Sequence, residues 1–299
     1  MKVGLVGTGR MGQAIALRLL EKGYDVHVWN RTASKLQNLI AAGAKTANTP
    51  SDLSIACDVV ISILTNAQAQ VAIYQAPGTG LLASDVAGKV FIDMSTVRPQ
   101  SSLTLEQAVE EKGGLFVESP VGGTTGPARE GKLFAFVGAK AQAFERAQPV
   151  LKDLCRRIEH VGKVGAGSSV KLAVNLPLLV FWQAFGEALS LVSHLDLPPD
   201  RLIDILSDTP GASGGFKARA PQFVARLQGQ APFPATFNLL SIHKDLETMK
   251  AEADGLGLAL PVVSGAITAY REAIDQGLGD SDSIEQTLFW RAKVSGLKA

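Results

Sequence analysis

Cysteine is scarce in this sequence. Only Cys57 and Cys155 occur, with no C-x-x-C pair and no flanking histidine. That excludes a disulfide framework and a zinc ribbon, and the two thiols read as buried groups in a reducing compartment. Histidine is equally thin. His27, His160, His194 and His243 are scattered without metal-ligand spacing and read as structural, so no metal is expected. Ser119 has no histidine beside it in the sequence, which argues against a hydrolase triad. An excess of one charge is lacking too. With 29 Lys and Arg against 28 Asp and Glu, the net charge of +1 leaves no electrostatic footprint for nucleic acid or an anionic membrane. The longest uncharged run, residues 172–186, is interrupted by Asn175, Pro177 and Gln183 and is too short to cross a bilayer. The chain opens directly as a strand, so no signal peptide is expected and a cytosolic location follows. There is no internal repeat and no low-complexity tail.

What is present begins at once. Lys2-Val3-Gly4-Leu5-Val6 is a short apolar run that breaks into Gly7-Thr8-Gly9-Arg10-Met11-Gly12. A helical pattern follows, with Ile15, Leu19 and Leu20 on one face, and then a second run, Asp25-Val26-His27-Val28-Trp29, ending at Asn30. A G-x-G-x-x-G alone is a weak signal, but here it sits between a strand and a helix and at the right distance from a second strand end. Gly7 permits the tight turn, Gly9 lets backbone approach a pyrophosphate, and Gly12 lets helix and strand pack closely. Thr8, Arg10 and Met11 complete the turn, and the phosphates would rest on the helix N-terminal amides. The end of the second strand selects the dinucleotide. A carboxylate there would bind a ribose 2′-hydroxyl and repel a 2′-phosphate. Instead the chain offers Asn30, Arg31 and Thr32, with Lys35 a turn later, a set suited to a phosphate dianion. NADP, with NADPH preferred over NADH, is the expected cofactor. The plainer alternative is a polar turn with a helix cap at Thr32 or Ser34.

Strand and helix alternate onward to about His160. Residues 58–64 form a continuous apolar run typical of a buried parallel strand. Lys89-Val90-Phe91-Ile92-Asp93, Leu115-Phe116-Val117-Glu118 and Leu133-Phe134-Ala135-Phe136-Val137 are further strands, with helices between them. This predicts an α/β, Rossmann-type doubly wound sheet over residues 1–163. Its ligands would bind where the strand ends converge, at residues 7–12, Leu64-Thr65, Ser95-Thr96 and 119–124. Glu118, at a strand end, reads as solvated or salt-bridged. Gly162-Lys163-Val164-Gly165-Ala166-Gly167 reads as a glycine-rich hinge. Beyond it, residues 164–299 read as an all-α substrate and dimerisation domain. Its leading helix, 168–194, is long, interdomain and apolar almost all round. Such a helix needs several neighbours to bury it, and a homodimer or higher homo-oligomer is expected. Phe181, Trp182 and Phe185 on it read as core or dimer packing.

Lys171 is the candidate for chemistry. It lies in the first turn of that helix, where the positive end of the dipole disfavours a cation. Entry into an apolar segment should depress its pKa towards neutrality, as proton transfer requires. Asn175, four residues on, shares its face. The structural alternative is a snorkelling surface lysine.

Together these motifs resemble those of the β-hydroxyacid dehydrogenases, typified by 3-hydroxyisobutyrate dehydrogenase and tartronate semialdehyde reductase. The resemblance runs almost the full length. It comprises the fingerprint with Met11, Asp93-Met94-Ser95-Thr96, Pro120-Val121-Gly122-Gly123-Thr124 with Gly126, Gly165-x-Gly167-x-x-x-Lys171-x-x-x-Asn175, and Lys244-Asp245-Leu246. It implies that Lys171 exchanges a proton with the substrate hydroxyl or carbonyl while Asn175 orients the substrate. It further implies that Thr96 touches the nicotinamide end, with Ser95 beside the substrate. Gly122, Gly123 and Thr124 would hold a substrate carboxylate, and Lys244 would reach towards the cofactor. Leu64 and Thr65 would line the adenosine side, and Asp245 would be an anchor. The implied partner is a small carboxylated aldehyde or hydroxyacid.

Several positions depart from the family pattern. Gly122-Gly123-Thr124 stands where Ser-Gly-Gly is usual, Leu176 where a second Asn follows, Thr65 where Pro is common, and Ser213-Gly214-Gly215-Phe216 where Ser-Trp often occurs. Fewer polar groups suggest a larger or less polar substrate than 3-hydroxyisobutyrate. Imine reductases resemble the stretch 28–32 but generally lack a lysine at position 171, which makes C=N reduction the runner-up. Phosphogluconate dehydrogenases are longer and need a cation cluster not found here. A non-catalytic dinucleotide-binding module is the alternative from another class, and such proteins typically lose the lysine.

Overall fold

The structure, a computed structural model, describes residues 1–295 and divides into two compact units, Met1–Leu172 and Ala173–Ala299. In the first, β1 (Lys2–Val6) leads through α1 (Arg10–Glu21) to β2 (Asp25–Trp29). A 3-10 turn at Ala33–Leu36 precedes α2 (Gln37–Ala41), the short β3 (Lys45–Thr46) and α3 (Pro50–Ala56). The alternation continues through β4 (Val59–Ser62), α4 (Ala67–Tyr74), β5 (Val90–Asp93), α5 (Pro99–Glu110) and β6 (Leu115–Glu118). It closes with β7 (Val121–Gly122), α6 (Thr125–Arg129), β8 (Leu133–Ala139), α7 (Ala141–Leu154) and β9 (Cys155–Gly162).

The strand order is β3-β2-β1-β4-β5-β6-β8-β7, with β9 alongside β8. Strands β1 to β6 run parallel, and the apolar runs explain why. A parallel sheet covered on both faces needs apolar residues at successive positions, and successive side chains point to opposite sides. Val59, Ile61, Val90, Ile92 and Val117 join the core under α1 and α7. Val60, Phe91 and Phe116, at the positions between, join the core under α3, α4 and α5. The doubly wound expectation holds over this part. It does not extend to β8, which pairs antiparallel with β6 and with the two-residue β7, while β9 runs parallel to β8.

Helix α8 (Ala166–Leu191) crosses from one unit into the other. It starts two residues earlier than the sequence suggested, and Pro177 does not break it. At 26 residues with a mean hydropathy of 1.4 in its best window, it is long and apolar enough by those criteria to cross a membrane. The uncharged run 172–186 understated that length. In the second unit α8 is followed by α9 (Pro199–Ser207), α10 (Gly214–Leu227), α11 (Leu239–Gly255) and α12 (Pro261–Ala273). A π turn at Ile274–Leu278 then precedes α13 (Ser283–Ser295). Trp182 and Phe185 pack with Phe216 and Phe223 of α10, the Phe185 and Phe216 rings 4.3 Å apart. Leu202 and Ile203 of α9 and Ile284 of α13 complete this core. The aromatic stripe on α8 is therefore core.

Candidate active site

Three glycines build the β1–α1 turn, for two different reasons. Gly7 has φ +89°, and a Cβ there would collide with the carbonyl of Ile63. A Cβ on Gly12 would collide with the Gly7 carbonyl. Both are glycine because the protein's own backbone leaves no alternative. Gly9 is different: its φ of −68° suits any residue, and a Cβ there would meet nothing within 4 Å. Protein packing does not require glycine at that position, whereas close approach of a phosphate to the N-terminus of α1 does. Thr8 is fully buried with its hydroxyl unpartnered at the same turn. The residues present fit a dinucleotide.

Around this turn, Arg10 is exposed and Met11 half-buried. The Gln13 side-chain amide donates to the carbonyls of Thr8 and Lys35, 3.3 Å each. It ties the phosphate turn to the segment carrying Arg31, Thr32 and Lys35, all exposed. Gln13 escaped the sequence reading because its backbone-directed contacts leave no motif. Asn30 turns its amide onto the Thr32 carbonyl at 3.0 Å, which shapes the loop.

The β4 and β5 tips are locked together by a buried polar cluster. Asp93 accepts from Ser62 (2.6 Å), Ser95 (2.8 Å) and the Gln70 amide (2.6 Å). The one Ser62 proton goes to Asp93, so the Tyr74 hydroxyl, 2.8 Å away, donates to Ser62. The Ser95 hydroxyl in turn accepts from the Leu64 amide at 2.9 Å. Burial pushes the Asp93 carboxyl up to about 6, against the lowering effect of these donors. Ser95 is thus buried and structural in its contacts, Thr96 beside it is half-buried, and Thr65 is exposed.

The next loop follows the same edge. The Ser119 amide donates to the Asp93 carbonyl at 2.7 Å, which places the root of the 119–124 loop beside the β5 tip. Gly122 is paired in β7 opposite Phe134, so it is part of the sheet. Gly123 is exposed with φ +122° and Thr124 leads into α6, where its side chain makes no cap.

Lys171 lies in the second turn of α8, one turn further in than expected, and is buried. The segment before it is tied to the end of β6 through Glu118. Glu118 is fully buried rather than solvated, which corrects that part of its reading. One of its oxygens accepts from the Gly165 amide at 2.8 Å, the other from the Ser168 hydroxyl. Ser168 also meets the Ser102 hydroxyl of α5 at 3.3 Å.

Residues 2–162 match the family profile described as the NAD binding domain of 6-phosphogluconate dehydrogenase. Residues 165–288 match that described as NAD-binding of NADP-dependent 3-hydroxyisobutyrate dehydrogenase. The chain belongs to the β-hydroxyacid dehydrogenases. Glyoxylate/succinic semialdehyde reductase 1 of Arabidopsis thaliana is 35% identical over 94% of this chain and 96% of its own length. NAD-dependent L-serine dehydrogenase of Pseudomonas aeruginosa is 30% identical over 96% and 97%. The solved structure of Psf3 with NADP+ and 2-OPP superposes with a TM-score of 0.86 at 28% identity, covering 96% of this chain and 99% of that one. As a member of this family the protein is an oxidoreductase that uses a nicotinamide cofactor.

In the second unit of this β-hydroxyacid dehydrogenase, Asn175 is buried and its amide donates to Asp245 at 3.1 Å. Lys244 forms an ion pair with the same carboxylate. Asp245 therefore joins Asn175 of α8 to Lys244 of α11, the anchoring role expected of it.

Proposed function

We propose that this protein is an NADP(H)-dependent reductase of small carboxylated aldehydes, running in reverse as a β-hydroxyacid dehydrogenase. The observation that carries the reading is Lys171, a buried lysine in the second turn of a helix whose N-terminus is held at the end of β6. Bound nicotinamide supplies or accepts hydride at the substrate carbon. Lys171 donates the proton to the carbonyl oxygen in reduction and removes it from the hydroxyl in oxidation. Asn175, its amide held by Asp245, orients the substrate. Gly122, Gly123 and Thr124 take the carboxylate, with Gly123 in the left-handed conformation that anion-binding turns use. Thr96 is assigned to the nicotinamide end, and Leu64 and Thr65 to the adenosine side.

The preference for NADP rests on the absence of any carboxylate among residues 30–35 and on Arg31, Thr32 and Lys35 standing exposed at the end of β2. The name of the Arabidopsis relative supports glyoxylate or succinic semialdehyde as substrate. We place the enzyme in the cytosol, as a homodimer.

The test is oxidation of NADPH and NADH against succinic semialdehyde, glyoxylate, methylglyoxal, tartronate semialdehyde and a cyclic imine. NADPH-dependent turnover of a carboxylated aldehyde is the expected result. Turnover of the imine alone would move the protein to C=N reduction. Equal use of NADH would remove the role given to Arg31.

A further inference from the structure

Helix α8 has no side-chain cap of its own. In a capping box the third helical residue reaches back to the amide of the residue before the helix. Here that amide belongs to Gly165 and the third residue is Ser168, whose side chain is too short for the task. Glu118, forty-seven positions earlier, supplies the missing acceptor from the end of β6, taking both the Gly165 amide and the Ser168 hydroxyl. A buried carboxylate at the positive end of a helix is favourable in charge as well as in hydrogen bonding.

The surroundings show how tightly this contact is drawn. A Cβ on Gly138, the β8 residue opposite Glu118, would lie 2.5 Å from the Glu118 carboxylate. A Cβ on Gly167 would lie 2.5 Å from the Phe136 carbonyl and 2.9 Å from the same carboxylate. Strand and helix backbones meet at two glycines with one carboxylate wedged between them. The glycine pattern 165-x-167 serves this approach rather than flexibility. Glu118 also stands immediately before the loop that carries Gly122, Gly123 and Thr124.

We propose that Glu118 is a positioning residue: it fixes the first turn of α8 against the root of the 119–124 loop, and so sets where Lys171 stands relative to the substrate carboxylate site. The inference rests on the assignment of proton transfer to Lys171.

Glu118→Gln is the gentler probe, because its oxygen can still accept from Gly165 while Ser168 turns to accept from the new amide. Glu118→Ala removes both acceptors, and Ser168→Ala only one donor. A misplacement of about 1 Å costs on the order of a hundredfold in rate. Glu118→Ala is therefore expected to lower kcat by about that factor, and Glu118→Gln and Ser168→Ala by about three- to tenfold. The KM for NADPH should stay within about twofold, because the phosphate turn lies on other strands. Hydrogen exchange at the amides 165–169 should quicken in the same order.

Lys171→Ala, measured in parallel, separates the two ideas. If it leaves kcat unchanged, the assignment to Lys171 fails. If it abolishes turnover while Glu118→Gln and Ser168→Ala keep wild-type kcat and wild-type exchange, the positioning role of Glu118 is overturned. Those two variants decide the matter even where Glu118→Ala does not fold.

Discussion

Asp93 shows what a single buried carboxyl does to this fold. Its carboxylate gathers Ser62, Gln70 and Ser95, and through Ser95 it holds the Leu64 amide. Full burial raises the carboxyl from 3.8 to about 6. A carboxyl raised on folding contributes stability that is complete below about pH 4 and is lost as pH rises through about 6. Roughly two pH units at 1.36 kcal/mol each make that loss about 3 kcal/mol. Asp93→Asn carries no such titration, and Gln70 can turn its amide to face the new donor. The unfolding free energy of the wild type, measured from pH 4.5 to 7.5 against that of Asp93→Asn, is expected to fall by about 1–3 kcal/mol relative to the variant. Parallel curves would mean that Asp93 is not what couples folding to pH in this range. The sequence showed this residue as part of Asp93-Met94-Ser95-Thr96 but gave no sign that Gln70 and Tyr74 complete its shell, because helix positions twenty residues away carry no local signature.

At the scale of one element, the β1–turn–α1 unit was legible as a motif, since its strand, glycines and helix all lie within the first part of the chain, although one cause of Gly7, the carbonyl of Ile63, comes from beyond β4. Its three glycines now separate by role. Gly12→Ala places a methyl against the Gly7 carbonyl and should cost about 1–3 kcal/mol of stability or more, because the backbone cannot move aside. Gly9→Ala meets nothing in the protein, so unfolding without cofactor should change by less than about 1 kcal/mol. The same variant should weaken NADPH binding tenfold or more, about 1.4 kcal/mol, as the methyl occupies the approach of the pyrophosphate. Differential scanning calorimetry with and without NADPH reads both effects. Undiminished stabilisation of Gly9→Ala by NADPH would place the phosphates elsewhere. The contrast with α8 is instructive. Its N-terminus was read as a hinge because its cap comes from Glu118, and a strand-ending glutamate looks the same in sequence whether it faces water or a helix. Strand β9 was missed for a related reason. Arg156, Arg157, Glu159 and His160 give it the composition of a surface loop, and only its pairing with β8 makes it a strand.

At the scale of the whole molecule, the two halves differ in how much of their organisation sequence carries. The sheet order follows from alternating apolar runs, whereas the second unit is set by contacts such as Asn175 with Asp245, which no periodicity announces. Exposed apolar side chains stand along α8 and α13. Leu191 is 77% exposed and Val294 59%, and with Ala184, Ala188 and Ser190 they line a shallow groove of about 480 Å³ beside the carboxylate of Glu187. A two-fold interface sets the same patch against itself, and small residues let two helices approach closely. This is the face expected to support the proposed homodimer. Leu191→Glu would add a second carboxylate beside Glu187 on each copy, and like charges brought together across a dry contact cost several kcal/mol. Light scattering behind size exclusion should therefore find twice the chain mass for the wild type and a monomer for Leu191→Glu at micromolar concentration. A variant that keeps the wild-type mass would show that the copies meet through another face.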